Sequence, residues 1–304
     1  MASLKQLKTQ FLEYVEIERG RALNTVRNYD HYLTRFLDFI KNDNPANIND
    51  NTVREFRLWL NRQSTGNNRA TGITLTKKTQ NYYLIAIRAF LKYLARQGIE
   101  TMSAERIELA KITERSLDLI TQTELHRLLD APKGNDVKSL RDKAILELLF
   151  STGLRVSELC SLTNDIDLQS GQFSIRGKGG KVRVVFISEE AKNAIKKYLA
   201  LRKDMSDALF VQIEKETSKK ETGPLTKRSI ERIVKQYAIK AGISKKVTPH
   251  IIRHCFATDL LQNGADIRSV QMMLGHSNIS TTQIYTHVTD RQLLDVHKKY
   301  HSRK

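Results

Sequence analysis

Apolar side chains in the first hundred residues recur three and four positions apart, the spacing that lines one face of a helix. Leu4, Leu7, Phe11, Leu12 and Val15 open the pattern. A second helix is expected from an Asn24 cap with Val26, Tyr29, Leu33, Phe36, Leu37 and Ile40 on its inner face, and a third follows Asn51 with Phe56, Trp59 and Leu60. A fourth runs from about Thr76 through Tyr83, Ile87, Phe90, Leu91 and Leu94 to Gly98. Strand signals are absent, so residues 1–98 read as a four-helix domain.

Residues 99–117, IETMSAERIELAKITERSL, lose this periodicity and mix their charges, which marks a linker. A second domain over 118–304 begins with Thr121 and Glu124 at capping-box spacing, followed by a helix over Leu140 to Ser151. The period then changes. Asp165 to Leu168, Gln172 to Arg176 and Val182 to Ile187 read as three short strands, the last two joined by the turn GKGGK. Helices are expected at about 189–203, 226–241, 249–263, 267–274 and 280–285, with a last one from about Asp290. The fold is therefore mainly α, with a small three-stranded antiparallel sheet in the second domain.

Composition narrows the function. No run approaches the roughly 18 apolar residues of a membrane span, and MASLKQLKTQ lacks the apolar core of a secretory signal, so a cytoplasmic protein is expected. Cys160 and Cys255 each sit in an apolar helical pattern without a second cysteine nearby, and read as buried thiols rather than metal ligands. The 51 Lys and Arg against 33 Asp and Glu leave a net charge of +18. The excess divides as 17 against 11 in residues 1–110 and 34 against 22 in residues 111–304, so it is no basic tail. Such a balance favours a polyanion partner met by both halves, and a merely basic soluble protein is the plain alternative. Arg54, Arg57, Lys77, Lys78, Arg88 and Lys92 fit a phosphate backbone and a solvated helix face equally well.

In TPHIIRHCFATDLL, Thr248 can cap a helix and Pro249 suits its first position, which puts His250 and Arg253 in the first turn on one face. A helix N-terminus with a guanidinium and an imidazole favours an anion. Gly153 permits a tight turn that presents Arg155 from a loop-helix junction, though an ordinary helix start explains it as well. Lys178 sits at the tip of IRGKGGKVRVV, where lysines are common because tips are wet; its flanking glycines also fit a mobile finger.

Taken in order, TGLRVSELCSL, GKGGKVR, HIIRHCFATDLLQNGADIRSVQMMLGH and STTQIYTHV resemble the tyrosine recombinase (phage integrase) family, and closely resemble its Xer-type bacterial members. The N-terminal half resembles that family's SAM-like core-binding domain. The resemblance implies that Tyr285 attacks a DNA phosphodiester, leaving a 3′-phosphotyrosyl bond and a free 5′-hydroxyl. Arg155 and Arg253 would clamp the nonbridging oxygens, and His276 would add a hydrogen bond to the same phosphate. His250 would accept the phenol proton, and Lys178 would protonate the departing 5′-oxygen.

The resemblance further implies a C-shaped clamp on double-stranded DNA and a homo- or heterotetramer on two recombination sites. A related recombinase and a DNA translocase are further partners that the resemblance suggests. In DRQLLDVHKKYHSRK, Leu293, Leu294 and Val296 fit a helix lent to a neighbouring protomer or one docked on its own domain. Strand exchange of this kind needs no cofactor, ATP or metal, and the chain has neither a GxxxxGK[ST] loop nor a carboxylate cluster with metal spacing. The expected role is resolution of chromosome or plasmid dimers, with integration of a mobile element as the alternative. A catalytically silent architectural DNA-binding protein should lack at least one of the six side chains, and a type IB topoisomerase should lack STTQIYTHV and the trailing helix. His254, His287, His297 and His301 read as structural or surface groups, and Glu158 as either an orienting group or an ordinary ion pair.

Overall fold

A computed structural model describes residues 3–64, 74–112, 118–177, 180–213 and 223–275. The chain divides into two compact units, residues 1–116 and 117–304.

Among the described residues, four α-helices build the first unit: α1 (Leu4–Glu16), α2 (Leu23–Ile40), α3 (Asp50–Arg62) and α4 (Lys77–Arg96). Ser3 and Gln6 form a reciprocal capping box on α1, and Thr76 caps α4 by accepting the Thr79 N–H. Two caps differ from the sequence reading. The ladder of α2 begins at the Ala22 carbonyl, so Asn24 lies inside the first turn. Asn49, not Asn51, caps α3, and the Asn51 amide donates to Glu55 one turn on instead. Neither shift moves the apolar stripes, because a cap sets only where a helix begins.

Those stripes converge on one core containing Leu4, Phe11, Leu33, Phe36, Phe56, Leu60, Ile87 and Phe90. The Phe11 and Phe90 ring centroids are 5.4 Å apart, and those of Phe36 and Phe56 are 4.9 Å apart. Truncating one such phenylalanine to alanine typically costs about 3–5 kcal/mol, a large part of what a small domain has in reserve. Of the stretch expected to link the domains, residues 99–112 pack on this unit: Ala104 and Ile107 are buried in its core, and Asn81 exchanges hydrogen bonds of 2.8 and 3.0 Å with the Ala110 backbone. Isolated anchors around the short turn Ala104–Arg106 leave no periodic trace in the sequence.

The second unit contains α5 (Gln122–Leu129), α6 (Val137–Thr152), α7 (Val156–Leu159), β1 (Gln172–Arg176), β2 (Val182–Phe186), α8 (Glu189–Leu201), α9 (Lys227–Lys240), α10 (Pro249–Gln262) and α11 (Ile267–Leu274). Thr121 and Glu124 do form the capping box of α5, and Asp136 caps α6, which begins at Val137, three residues ahead of the expected Leu140. Ile145, Leu146, Leu148 and Leu149 are consecutive or nearly so, and all are fully buried. A helix that is apolar all round is a central one. Helix α6 packs against α8 and α10, and α10 itself is buried from Ile251 to Ala257.

β1 and β2 pair antiparallel, from Gln172 opposite Phe186 to Arg176 opposite Val182. Among the described residues the sheet has these two strands, and the third strand expected at Asp165 to Leu168 is not one. Asp167 turns the chain there by accepting the N–H groups of Gln169 (2.8 Å) and Ser170 (3.2 Å), while backbone pairing just before it is confined to the bridge of Thr163 with Ala208, beside which the Asn164 N–H donates to the Asp207 carbonyl (2.8 Å). Side-chain turns of this type compete with a ladder. Ile166 and Leu168 still pack on the core, so their alternation reflects burial of a loop. The helices expected at 280–285 and from Asp290 lie outside the described residues.

Candidate active site

Gly153 ends α6 in the left-handed region at φ 58°, and a Cβ there would lie 2.4 Å from Cδ1 of Phe256 on α10. Only glycine allows so tight a turn against that ring. The chain then enters α7 with Arg155 as its N-cap. Glu158, three residues on, accepts the Arg155 backbone N–H on Oε2 and Arg155 Nη1 on Oε1, both at 2.8 Å. Arg155 Nη2 donates to the Gly275 carbonyl at 3.0 Å.

Arg253 occupies the buried part of α10 and is 3% exposed. Its Nη1 donates to the Gly153 carbonyl (2.6 Å) and its Nη2 to the Leu274 carbonyl (2.5 Å). The C-terminal carbonyls of α11, orphaned by the end of the helix, are thereby satisfied by two arginines from distant parts of the chain. Gly275 closes α11 at φ 62°, a conformation that favours glycine, and His276 follows it in the sequence.

Glu158 is 4% exposed and also receives Arg183 Nη1 (3.0 Å) and Nη2 (2.8 Å), while Arg183 Nε donates to the Met273 carbonyl (2.9 Å). Burial alone would push the carboxyl upward, but hydrogen bonds from Arg183 and from the backbone and side chain of Arg155 outweigh it and hold the pKa at about 2. Glu158 is therefore an anion at neutral pH, shared between two guanidinium groups.

Thr248 caps α10 by accepting the Ile251 N–H, and Pro249 takes the first helical position as expected. His250 lies at the exposed start of that helix, its Nε2 3.0 Å from Nε2 of the buried His254, with the rings edge to face at 4.4 Å. One ring must donate and the other accept. Loss of water around the His250 ring lowers its pKa, and the positive charges of Arg253 and Arg155 lower it further. A neutral imidazole that can take a proton is the result.

Arg155, Arg253 and His250 are thus brought together around the ends of α6 and α11. Lys178, His276 and Tyr285 lie outside the described residues. The hairpin on which Lys178 sits in the sequence is closed by a 2.7 Å hydrogen bond from the Gly177 N–H to the Lys181 carbonyl. Two partners escape a reading of the sequence alone. His254, expected as a structural or surface group, is buried against His250, and Arg183 carries no spacing that marks it in the sequence. The available signal for Arg183 was its place on the inward face of β2 with Val185, where a charged side chain requires a partner. Among the described residues, no three His, Cys, Asp or Glu side chains stand close enough to hold a metal ion, and no helix is long and apolar enough to cross a membrane.

The described geometry places two fixed guanidinium groups beside a neutral imidazole, and comparison with known proteins gives it a family. Residues 118–292 match the phage integrase family, and residues 9–98 match the phage integrase N-terminal SAM-like domain. The chain is 37% identical to tyrosine recombinase XerD of Halalkalibacterium halodurans over 97% of both chains. It is 34% identical to tyrosine recombinase XerC of Bacillus subtilis, covering 100% of this chain and 98% of the other. Among solved structures it is similar to XerA recombinase, with 32% identity, a TM-score of 0.52, and coverage of 99% of this chain and 100% of that one. A complex of XerH recombinase with its difH substrate shares the fold at a TM-score of 0.68 and 22% identity, covering 96% of this chain and 84% of that one. The chain belongs to the phage integrase family of tyrosine recombinases and is a Xer-type site-specific recombinase, an enzyme that transfers DNA strands.

Proposed function

We propose that this recombinase resolves dimeric circular DNA, chromosomal or plasmid, by conservative strand exchange with Tyr285 as nucleophile. The phenol oxygen attacks phosphorus, forming a 3′-phosphotyrosyl bond as the 5′-oxygen leaves; the 5′-hydroxyl of a partner strand then attacks the same phosphorus and releases the tyrosine. One phosphoester replaces another at each step, so the exchange is close to isoenergetic. A free phenol with a pKa near ~10 is mostly protonated at neutral pH and needs a base, the role assigned to His250. An alkoxide leaves poorly, so Lys178 supplies its proton.

Negative charge concentrates on the nonbridging oxygens in the transition state, and Arg155 and Arg253, with His276, stabilise it there. The single observation that carries the reading is the convergence of Arg155 and Arg253 on adjacent carbonyls at the end of α11, beside a His250 of lowered pKa. Two guanidinium groups fixed in this way are donors that need not reorganise as charge develops. The proposed partner is duplex DNA bound by four protomers at two sites, in the cytoplasm, assisted by a related recombinase or a DNA translocase.

Selecting duplexes from a random pool with the Tyr285→Phe protein identifies the site. A nicked version of that site should trap wild-type protein covalently and leave Tyr285→Phe protein bound but unattached. A normal yield of adduct from the mutant removes Tyr285 from the mechanism. A selected site that supports integration of a mobile element, and no resolution of a plasmid dimer, overturns the biological role.

A further inference from the structure

We infer that Arg183 is a positioning residue for the strand-transfer site: by neutralising Glu158 and fixing it in place, it leaves the Arg155 guanidinium oriented and still positively charged toward DNA phosphate. The inference rests on the strand-transfer reading above.

Every acceptor position of the Glu158 carboxylate is in use. Oε1 takes Arg155 Nη1 and Arg183 Nη1, and Oε2 takes the Arg155 N–H and Arg183 Nη2, at 2.8 to 3.0 Å. With Arg183 present the buried group of two guanidinium ions and one carboxylate carries a net positive charge. Without it, Arg155 and Glu158 form a neutral pair, and a phosphate oxygen meets a guanidinium whose charge is already compensated at hydrogen-bond distance. Arg183 is 10% exposed and Arg155 31%, so the first faces the protein while the second remains open to solvent and to a ligand.

Arg183 also reaches the other wall of the site through its Nε bond to the Met273 carbonyl. It therefore ties β2 to α7 and to the last turn of α11, whose next two carbonyls hold Arg253 and Arg155. Two glycines keep its place open. A Cβ at Gly275 would lie 3.0 Å from Arg183 Cδ, and one at Gly177 would lie 3.3 Å from Arg183 Nη1. A lysine could supply the charge at position 183 but not the planar fork that serves Glu158 twice and Met273 once.

The test is single-turnover formation of covalent adduct on the nicked selected duplex by wild type, Arg183→Met, Arg183→Lys, Arg155→Ala and the Arg155→Ala/Arg183→Met double variant. Wild-type adduct establishes strand transfer independently of Arg183; its absence overturns that reading and this one with it. Arg183→Met should slow adduct formation about 10²-fold, the scale of a lost transition-state donor, and Arg183→Lys should recover to within about tenfold of wild type. The double variant should be no slower than Arg155→Ala alone, because Arg183 acts through Arg155. A residue needed only for folding would instead lower the amount of active protein by the same factor in both backgrounds. Wild-type rate in Arg183→Met, or a double-variant loss equal to the product of the single losses, overturns the inference. Should Arg183→Met fail to fold by circular dichroism, Arg183→Gln, which also removes the charge, takes its place alone and with Arg155→Ala, with the same two overturning results.

Discussion

Arg155 and Arg253 lie 98 residues apart in the chain and donate to neighbouring carbonyls, Arg155 to that of Gly275 and Arg253 to that of Leu274. They differ in surroundings. Arg155 is partly open and shares Glu158 with Arg183, whereas Arg253 is buried and bonded to the Gly153 carbonyl as well. The end of α11 is thereby pinned to the turn between α6 and α7.

Alanine at either position should slow cleavage of the nicked substrate by about 10² to 10³, since one guanidinium cannot stand in for two. Stability should separate the variants. Arg253→Ala strips donors from two buried carbonyls, at about 1–3 kcal/mol for each group left unsatisfied, while Arg155→Ala leaves Glu158 paired with Arg183. Urea melts should show a clear loss for Arg253→Ala and a small one for Arg155→Ala. Equal melting of both would contradict the burial of Arg253.

The lowered pKa of His250 sets the pH response. In the proposed mechanism the neutral ring is the proton acceptor, so the acid limb of the cleavage rate should fall below the ordinary histidine value of about 6.5. Stability carries the same sign: above that value both folded and unfolded chains hold the ring neutral, and as pH drops below it the unfolded chain takes a proton that the folded one resists. Adduct rates measured from pH 5 to 8 should show this limb in wild type and not in His250→Asn. A wild-type limb at or above 6.5 would exclude His250 as its source.

Lys178→Ala should slow cleavage of ordinary DNA far more than cleavage of DNA with a 5′-phosphorothiolate at the scissile bond. A thiolate departs without protonation, so losing the acid matters little there. Equal losses on the two substrates would make Lys178 a phosphate contact and turn attention to Lys181.

Gly153→Ala should destabilise the second unit although it adds a single methyl group. Left-handed backbone costs a non-glycine residue roughly 1–2 kcal/mol. Overpacking against Phe256 adds roughly 1–3 kcal/mol. Thermal melts of Gly153→Ala with and without Phe256→Leu separate the two, since the smaller side chain relieves the clash and not the backbone strain. Failure of Phe256→Leu to restore any stability would show that the methyl group finds room elsewhere.

The local order of the chain was legible without a fold. Apolar spacing located α1 to α4, and Thr121, Thr248 and Pro249 marked helix starts because caps and helix periods are properties of a few consecutive residues. Arg155, His250 and Arg253 could be chosen from motifs for the same reason. Position in space is another matter. Alternation at Asp165 to Leu168 predicts a strand, and the fold makes it a loop, since Asp167 turns the chain at Gln169 and Ser170 while Ile166 and Leu168 pack on the core. The partnership of Arg183 with Glu158 and the approach of His254 to His250 depend on how β2, α7 and α10 pack, and no spacing along the chain encodes it. Helical periods and the set of chemically able side chains follow from the order of residues alone. Which charges share a buried carboxylate depends on packing, because removal from water makes each of those pairings compulsory.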